Sequence, residues 1–140
     1  MEDARLAMDA IWNGLPIFLL HSGLSLLILV IGVFVYTRIT PHDEIALIKS
    51  GNSAAAVSLS GAILGLALPL ASSLAASVSL WDLVFWGIIA LLLQLAAFRL
   101  VDFFLKDISA RIEAGEIGPA ILLLSFKLAT AMINAAAISG

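Results

Sequence analysis

Four long apolar stretches separated by short polar breaks dominate the chain. The first runs from about Ile11 or Leu15 to Tyr36 and contains SLLILVIGVFVY. The second runs from Ser53 to Val78, the third from Leu80 to about Phe98, and the fourth from Ile117 to Ile138. Each reaches or nearly reaches the roughly 20 residues that an α-helix needs to cross a hydrocarbon core. A closed barrel would need shorter segments of alternating polarity, which LLILVIGVF and IIALLLQLAAF do not show. The pattern predicts an all-α polytopic protein with four transmembrane helices.

The breaks between the stretches carry their own signals. Thr40-Pro41-His42-Asp43 presents a cap residue, a proline at the first helical position and an acid three residues on, so a short interfacial helix is expected to start there and stop at Gly51. Ser79-Leu80-Trp81-Asp82 reads as a second capping box, which leaves almost no turn between spans two and three. From Phe98 to Ala114 the apolar residues Phe98, Val101, Leu105, Ile108 and Ile112 recur at intervals of three and four. That periodicity predicts an amphipathic helix, either lying at the interface or continuing span three.

Composition strengthens the membrane reading. Of 140 residues, 62% are apolar and 12% charged, and the mean hydropathy is +1.13. Soluble domains run at about 45–50% apolar and about 25% charged, so an ordinary cytoplasmic enzyme is excluded. A net charge of −3 with seven scattered basic residues gives no footprint for nucleic acid. The absence of cysteine removes disulfides, thiolate nucleophiles and cysteine metal sites; no cofactor, metal or catalytic residue is expected. The acidic leader MEDARLAMDA is unlike the positive opening of a cleaved signal peptide, so span one is expected to be retained.

Arg38 and Lys49 lie in the first linker and Arg99, Lys106 and Arg111 in the second, against only Arg5 on the other side. The positive-inside rule therefore places both linkers in the cytoplasm and both termini outside. Trp12, Trp81 and Trp86 fall near the outer ends of the spans, where an indole anchors at the interface.

Sliding the chain by 64 residues lays IKSGNSAAAV (48–57) over IEAGEIGPAI (112–121), with Ile48 on Ile112, Gly51 on Gly115 and Ala56 on Ala120. The shift predicts two parallel two-helix units, 1–79 and 80–140, rather than the inverted halves common in transporters. In each unit the glycine is expected to end the linker helix in a left-handed conformation, with Asn52 or Glu116 capping the following span.

Polar residues inside the spans are the candidates for function. Lys127 lies ten positions after Ile117, roughly 15 Å into the membrane, and has no acid beside it in sequence. It could line a wet cavity, pair with a polar group of another helix, or snorkel. Asn134 lies two turns on along nearly the same face, with His21 on span one, Gln94 on span three, and Ser58 and Asn52 on span two. Together they form either a pore lining or a sparse hydrogen-bond network. Span two is rich in Gly, Ala and Ser; Gly61 and Gly65 form G-x-x-x-G, and Pro69 removes one backbone donor. It is expected to be the central helix. Ser125 and Lys127, two residues apart, point to different faces and make a poor catalytic pair.

The stretch TPHDEIALIKSGNSAAAVSLSGAILGLALPL, residues 40–70, resembles the bacterial inner-membrane family known as domain of unknown function 350, the YjfL-like proteins. The residues that carry it are Glu44, Gly51-Asn52, Ala54 to Ala56, Gly61, Gly65 and Pro69. Trp86, Gln94, Arg99, Ile112-Glu113, Gly115, Asn134 and Ala135-Ala136 carry it in the second half. Ala131 stands where family members often have glycine. The resemblance implies paired helical units in a cytoplasmic membrane and brings no activity with it.

With every nearby acid assigned to the ends of the spans, a lone midplane ammonium favours an anion. The leading expectation is an oligomeric channel-like or ion-sensing component that prefers a small anion. Its rival is a non-catalytic scaffold that recruits a cytoplasmic protein through residues 40–51 and 99–116. The partners expected are the lipid bilayer, further copies of the chain and a small ion.

Overall fold

A computed structural model describes residues 2–76 and 79–140. Four helices are long and apolar enough to cross a membrane: α1 (Glu2–Ile39), α3 (Ser53–Ala76), α4 (Leu80–Leu105) and α6 (Ile117–Ser139). Two six-residue helices, α2 (Glu44–Lys49) and α5 (Ile108–Glu113), sit in the linkers. The end of the second expected span, at 77–78, lies outside the described residues.

α3 is the hub, as its small residues predict. It packs on α6, α4 and α1, and its buried face includes Ala54, Ala55, Ser58, Gly61, Ala62, Gly65 and Leu66. A Cβ on Gly61 would lie 3.1 Å from the Cα of Leu124, so α3 and α6 touch nearly backbone to backbone. Gly65 faces the Gln94 side chain of α4 instead. The G-x-x-x-G pair therefore serves two different neighbours within one chain. α1 is peripheral: Gly32 receives Leu66 of α3, Ile28 lies against Gly87 of α4, and residues 2–20 are exposed throughout.

The linkers differ from expectation in three places. Thr40 and Pro41 do not start a helix: Thr40 donates its hydroxyl to the Tyr36 carbonyl, and α2 begins at Glu44 with Asp43 accepting from the Ala46 amide. The acid expected to complete the cap is itself the cap. The amphipathic stretch 98–114 is not one helix either. α4 runs on to Leu105, Lys106 and Asp107 take positive φ (38° and 56°), and α5 follows. That break turns Ile108 and Ile112 under the bundle, where they pack with Ala54, Ala55, Phe98, Val101, Ala120 and Leu123. Finally, Glu116 makes no side-chain cap on α6; its carboxylate pairs with Arg111 at 2.7 Å.

Both glycines end their helices as expected, at φ of 91° for Gly51 and 81° for Gly115. The amides of Ser50, Gly51 and Asn52 donate to Ala46, Ile48 and Leu47, while those of Ala114, Gly115 and Glu116 donate to Ala110, Ile112 and Arg111. Each bond in the first set has its counterpart 64 residues on. Asn52 adds something the second loop lacks. Its Oδ1 accepts from the Ala55 amide, and its Nδ2 donates to the carbonyls of Ile112 and Glu113, at 2.8 and 3.1 Å. One side chain caps the start of α3 and the end of α5.

Aspartate at position 52 keeps the acceptor but sets a carboxylate against two carbonyls. Asn52→Asp should therefore lower folded yield in detergent about as much as Gly51→Val, whereas Gly23→Ala, which meets nothing within 4 Å, should be neutral. Fluorescence-detected size exclusion of the three variants measures the order; a well-folded Asn52→Asp protein would show that the bonds to α5 contribute little.

Candidate functional site

The site begins with a fault in a helix and its repair. Pro69 has no amide hydrogen, so the Gly65 carbonyl one turn earlier loses its intrahelical donor. In hydrocarbon no water replaces it. Gln94, reaching across from α4, donates its Nε2 to that carbonyl at 3.3 Å and to the Lys127 carbonyl of α6 at 3.2 Å. Three helices are joined by one buried amide. Gly65 has to be glycine because a side chain there would occupy the position of the Gln94 amide.

Lys127 is the next layer toward the linkers. Helical side chains lean toward the N-terminus of their helix, and here that carries the amine from mid-span toward the linker end. Its Nζ donates to the Ser58 carbonyl at 2.9 Å and to the Ser58 hydroxyl at 3.4 Å. The amine also lies 4.6 Å from the centroid of the Tyr36 ring and 6.0 Å from that of Phe98, within cation–π range. Lys127, Ser58 and Tyr36 are completely buried. Of the three accounts of Lys127, pairing with a polar group on another helix is the one observed.

The chain does not stop at Ser58. Its hydroxyl donates to Oε1 of Glu44 at 2.9 Å, and the same oxygen lies 3.2 Å from His42 Nε2. An ionised Glu44 makes Nε2 the donor, and in the neutral ring Nδ1 then accepts from the Ser109 hydroxyl, 3.2 Å away. Glu44 is completely buried. It belongs to linker helix α2, which is amphipathic: Glu44 shares a face with Leu47 and Ile48, and both pack on the core. The expectation that no acid accompanies the lysine is thus corrected. α2 turns its first residue inward, bringing a carboxylate to within one serine of the amine.

Three atoms of this site, Glu44 Oε2, Tyr36 Oη and Gln94 Oε1, are buried with no hydrogen-bond partner among the described residues. Such groups need an explanation, because an unsatisfied polar atom at this depth costs about 1–3 kcal/mol.

Of the residues expected to act together, Lys127, Ser58 and Gln94 meet. Asn52 lies at the linker end and serves the caps. Asn134 is buried on the face of α6 expected for it, but its Nδ2 has no partner and no bond joins it to Lys127. His21 bonds its own helix, at the Ile17 carbonyl. Ser125 is exposed and bonded to Ile121, away from Lys127. Glu44, His42 and Tyr36 were not among the expected site residues.

Comparison with known proteins then places the chain. The family described as Domain of Unknown Function (DUF350) matches residues 10–138. The chain belongs to that family. It is 34% identical over 126 residues to the UPF0719 inner membrane protein YjfL of Escherichia coli K12, covering 90% of this chain and 96% of that protein, and equally to its O157:H7 counterpart. No solved structure matches. Family membership and four apolar helices make this a small polytopic membrane protein. In this DUF350 chain the E-x-x-x-I-x-x-G-N-x-A-A-A block holds both the buried Glu44 and the double cap Asn52.

If Gln94 repairs the break at Pro69, the two positions must be coupled. Gln94→Leu should destabilise the bundle by about 1–2 kcal/mol, and Pro69→Ala, which restores an amide facing Gly65, should recover part of that loss. Unfolding in mixed micelles measures the double-mutant cycle. Strictly additive effects would mean that Gln94 acts through Lys127 alone.

Proposed function

We propose that this protein is a non-enzymatic, ion-responsive component of the bacterial inner membrane, and that the Glu44–Ser58–Lys127 chain is its responsive element. The observation that carries this reading is the buried carboxylate itself. One of its oxygens takes two hydrogen bonds, from Ser58 and His42, and the other takes none. An anion was favoured only while Lys127 stood without an acid. With Glu44 beside it, the ion that fits is the proton, whose uptake by the buried carboxylate would leave the Lys127 ammonium without its counter-charge inside the bundle. His42 lines a cavity at the linker end and touches Glu44, so it provides the route. Breaking such a pair on one side is costly, which gives a change of protonation leverage on the position of α2.

The same reading sets the linkers in the cytoplasm and both termini outside, following the five-to-one distribution of basic side chains. It treats residues 1–79 and 80–140 as parallel units, supported by the matching hydrogen bonds of the two glycine loops. Conduction, if any, would need several copies, for which the exposed first half of α1 offers a surface. The rival scaffold reading draws on α2 and α5, which His42–Ser109 and Asn52 bind into one platform at the linker end.

Three measurements test these points. Acidification from about pH 8 to about pH 5 should speed hydrogen exchange in residues 44–49 beyond the intrinsic chemistry of amides, and Glu44→Gln should abolish that difference; a wild-type α2 that is indifferent to pH rejects proton response. Proton and chloride flux in liposomes, if equal for wild type and Lys127→Met, removes any lysine-dependent pathway. Cysteines placed at the exposed Ser53 and Glu113 should react with an impermeant thiol reagent from the cytoplasmic side only, and labelling from outside overturns the orientation.

A further inference from the structure

A cavity of about 470 Å³ opens beside the turn between α1 and α2, outside the buried chain. It has two contrasting sides. Phe34 and Ile45, both exposed, form an apolar flank, while Arg38 and Asp43 bring opposite charges to the same space. Those two charges do not pair with each other: among the described residues the only Arg or Lys in an ion pair is Arg111, with Glu116. The Arg38 guanidinium is instead held over the Phe34 ring, 4.7 Å from its centroid, with its donors left for something else. Asp43 uses Oδ1 to cap α2 through the Ala46 amide, which leaves its second oxygen and its charge available. The hydroxyls of Thr37 and Thr40, on the same wall, donate to their own helix at Phe34 and Tyr36 and so do not compete for Asp43.

A separated cation and anion with an apolar flank, at the end of a membrane-crossing helix, are complementary to a molecule with the reverse pattern. We propose that this cavity binds the headgroup of a zwitterionic phospholipid of the phosphatidylethanolamine type. The phosphate meets Arg38, the ammonium meets Asp43, and the first acyl carbons lie along Phe34 and Ile45. Guanidinium is the side chain whose planar fork suits a phosphate. The volume is within the range of small-molecule pockets. An anionic lipid would satisfy Arg38 but set its own charge near Asp43, so the acid makes the site selective. The proposal does not depend on which side of the membrane the linkers face; it shares this cavity with the proton route through His42, but its test reads Arg38 and Asp43 and leaves Glu44 and Lys127 untouched.

Native mass spectrometry of the full chain, released from detergent micelles after equilibration with equal amounts of phosphatidylethanolamine and phosphatidylglycerol, tests it. Wild type should retain phosphatidylethanolamine about fivefold better, the size expected for one exposed ion pair. Asp43→Asn keeps an oxygen to cap α2 and should bring the two lipids level; Arg38→Gln should lower retention of both. Both positions are exposed, and matching circular dichroism spectra confirm that the variants fold. Equal retention by wild type, a preference for phosphatidylglycerol, or a preference for phosphatidylethanolamine that survives either substitution overturns the proposal.

Discussion

The hydrocarbon interior allows no unpaired backbone group, and the arrangement of this bundle follows from one place where its own sequence creates such a group. Pro69 strips the Gly65 carbonyl of its donor, in the helix that all the others pack on. The repair comes from Gln94, whose amide fits because residue 65 has no side chain. The same amide also takes the Lys127 carbonyl, which fixes the relative depth of α3, α4 and α6. A proline, a glycine and a glutamine on two helices thus act as one unit. Removing Gln94 leaves the Gly65 carbonyl without a donor, while removing Pro69 leaves Gln94 its bond to Lys127.

That depth decides where the lysine can reach. With Gly61 drawing α6 onto the backbone of α3, the Lys127 stem runs beside Gly61 and ends at Ser58. An ammonium on an isolated helix would face lipid at a cost of at least about 2.5 kcal/mol. Here two oxygens and two aromatic faces surround it, with a carboxylate one hydroxyl further on. A buried pair of this kind adds little net stability compared with apolar residues of the same volume.

Apolar length alone made the four spans legible, and their small residues identified α3 as the hub. The glycine loops were legible because positive φ has a narrow sequence signature. Lys127, Ser58 and Gln94 stood out because polar residues in hydrocarbon are conspicuous. Glu44 did not, since an acid in a short polar linker looks solvated. The signal lay in periodicity: Glu44, Leu47 and Ile48 share a face, so a helix that buries the two aliphatics buries the acid with them. Six residues give that period little weight against the surrounding charge. The break at Lys106 and Asp107 was illegible for another reason. Neither residue is glycine, and the break is held by the burial of Ile108 and Ile112 under the bundle and by the Ile108 amide, which donates to Asp102 Oδ1.

The offset of 64 that matches the hydrogen bonds of the two glycine loops also shows where the halves part company. It sets Ile108 over Glu44, Glu116 over Asn52, Leu122 over Ser58 and Ile63 over Lys127. Glu44, Ser58 and Lys127 thus each face an aliphatic counterpart, and the double cap faces an acid that pairs elsewhere. The two glycine loops share a backbone device ahead of an apolar helix and differ in the side chains set around it. A pore on an axis between the halves would be lined by unlike residues, with Glu44 on one side and Lys127 on the other. Such asymmetry fits the proposed proton-responsive chain better than it fits a symmetric channel. The acid of that chain is the first residue of α2, so the chain joins a linker helix to two membrane-crossing ones.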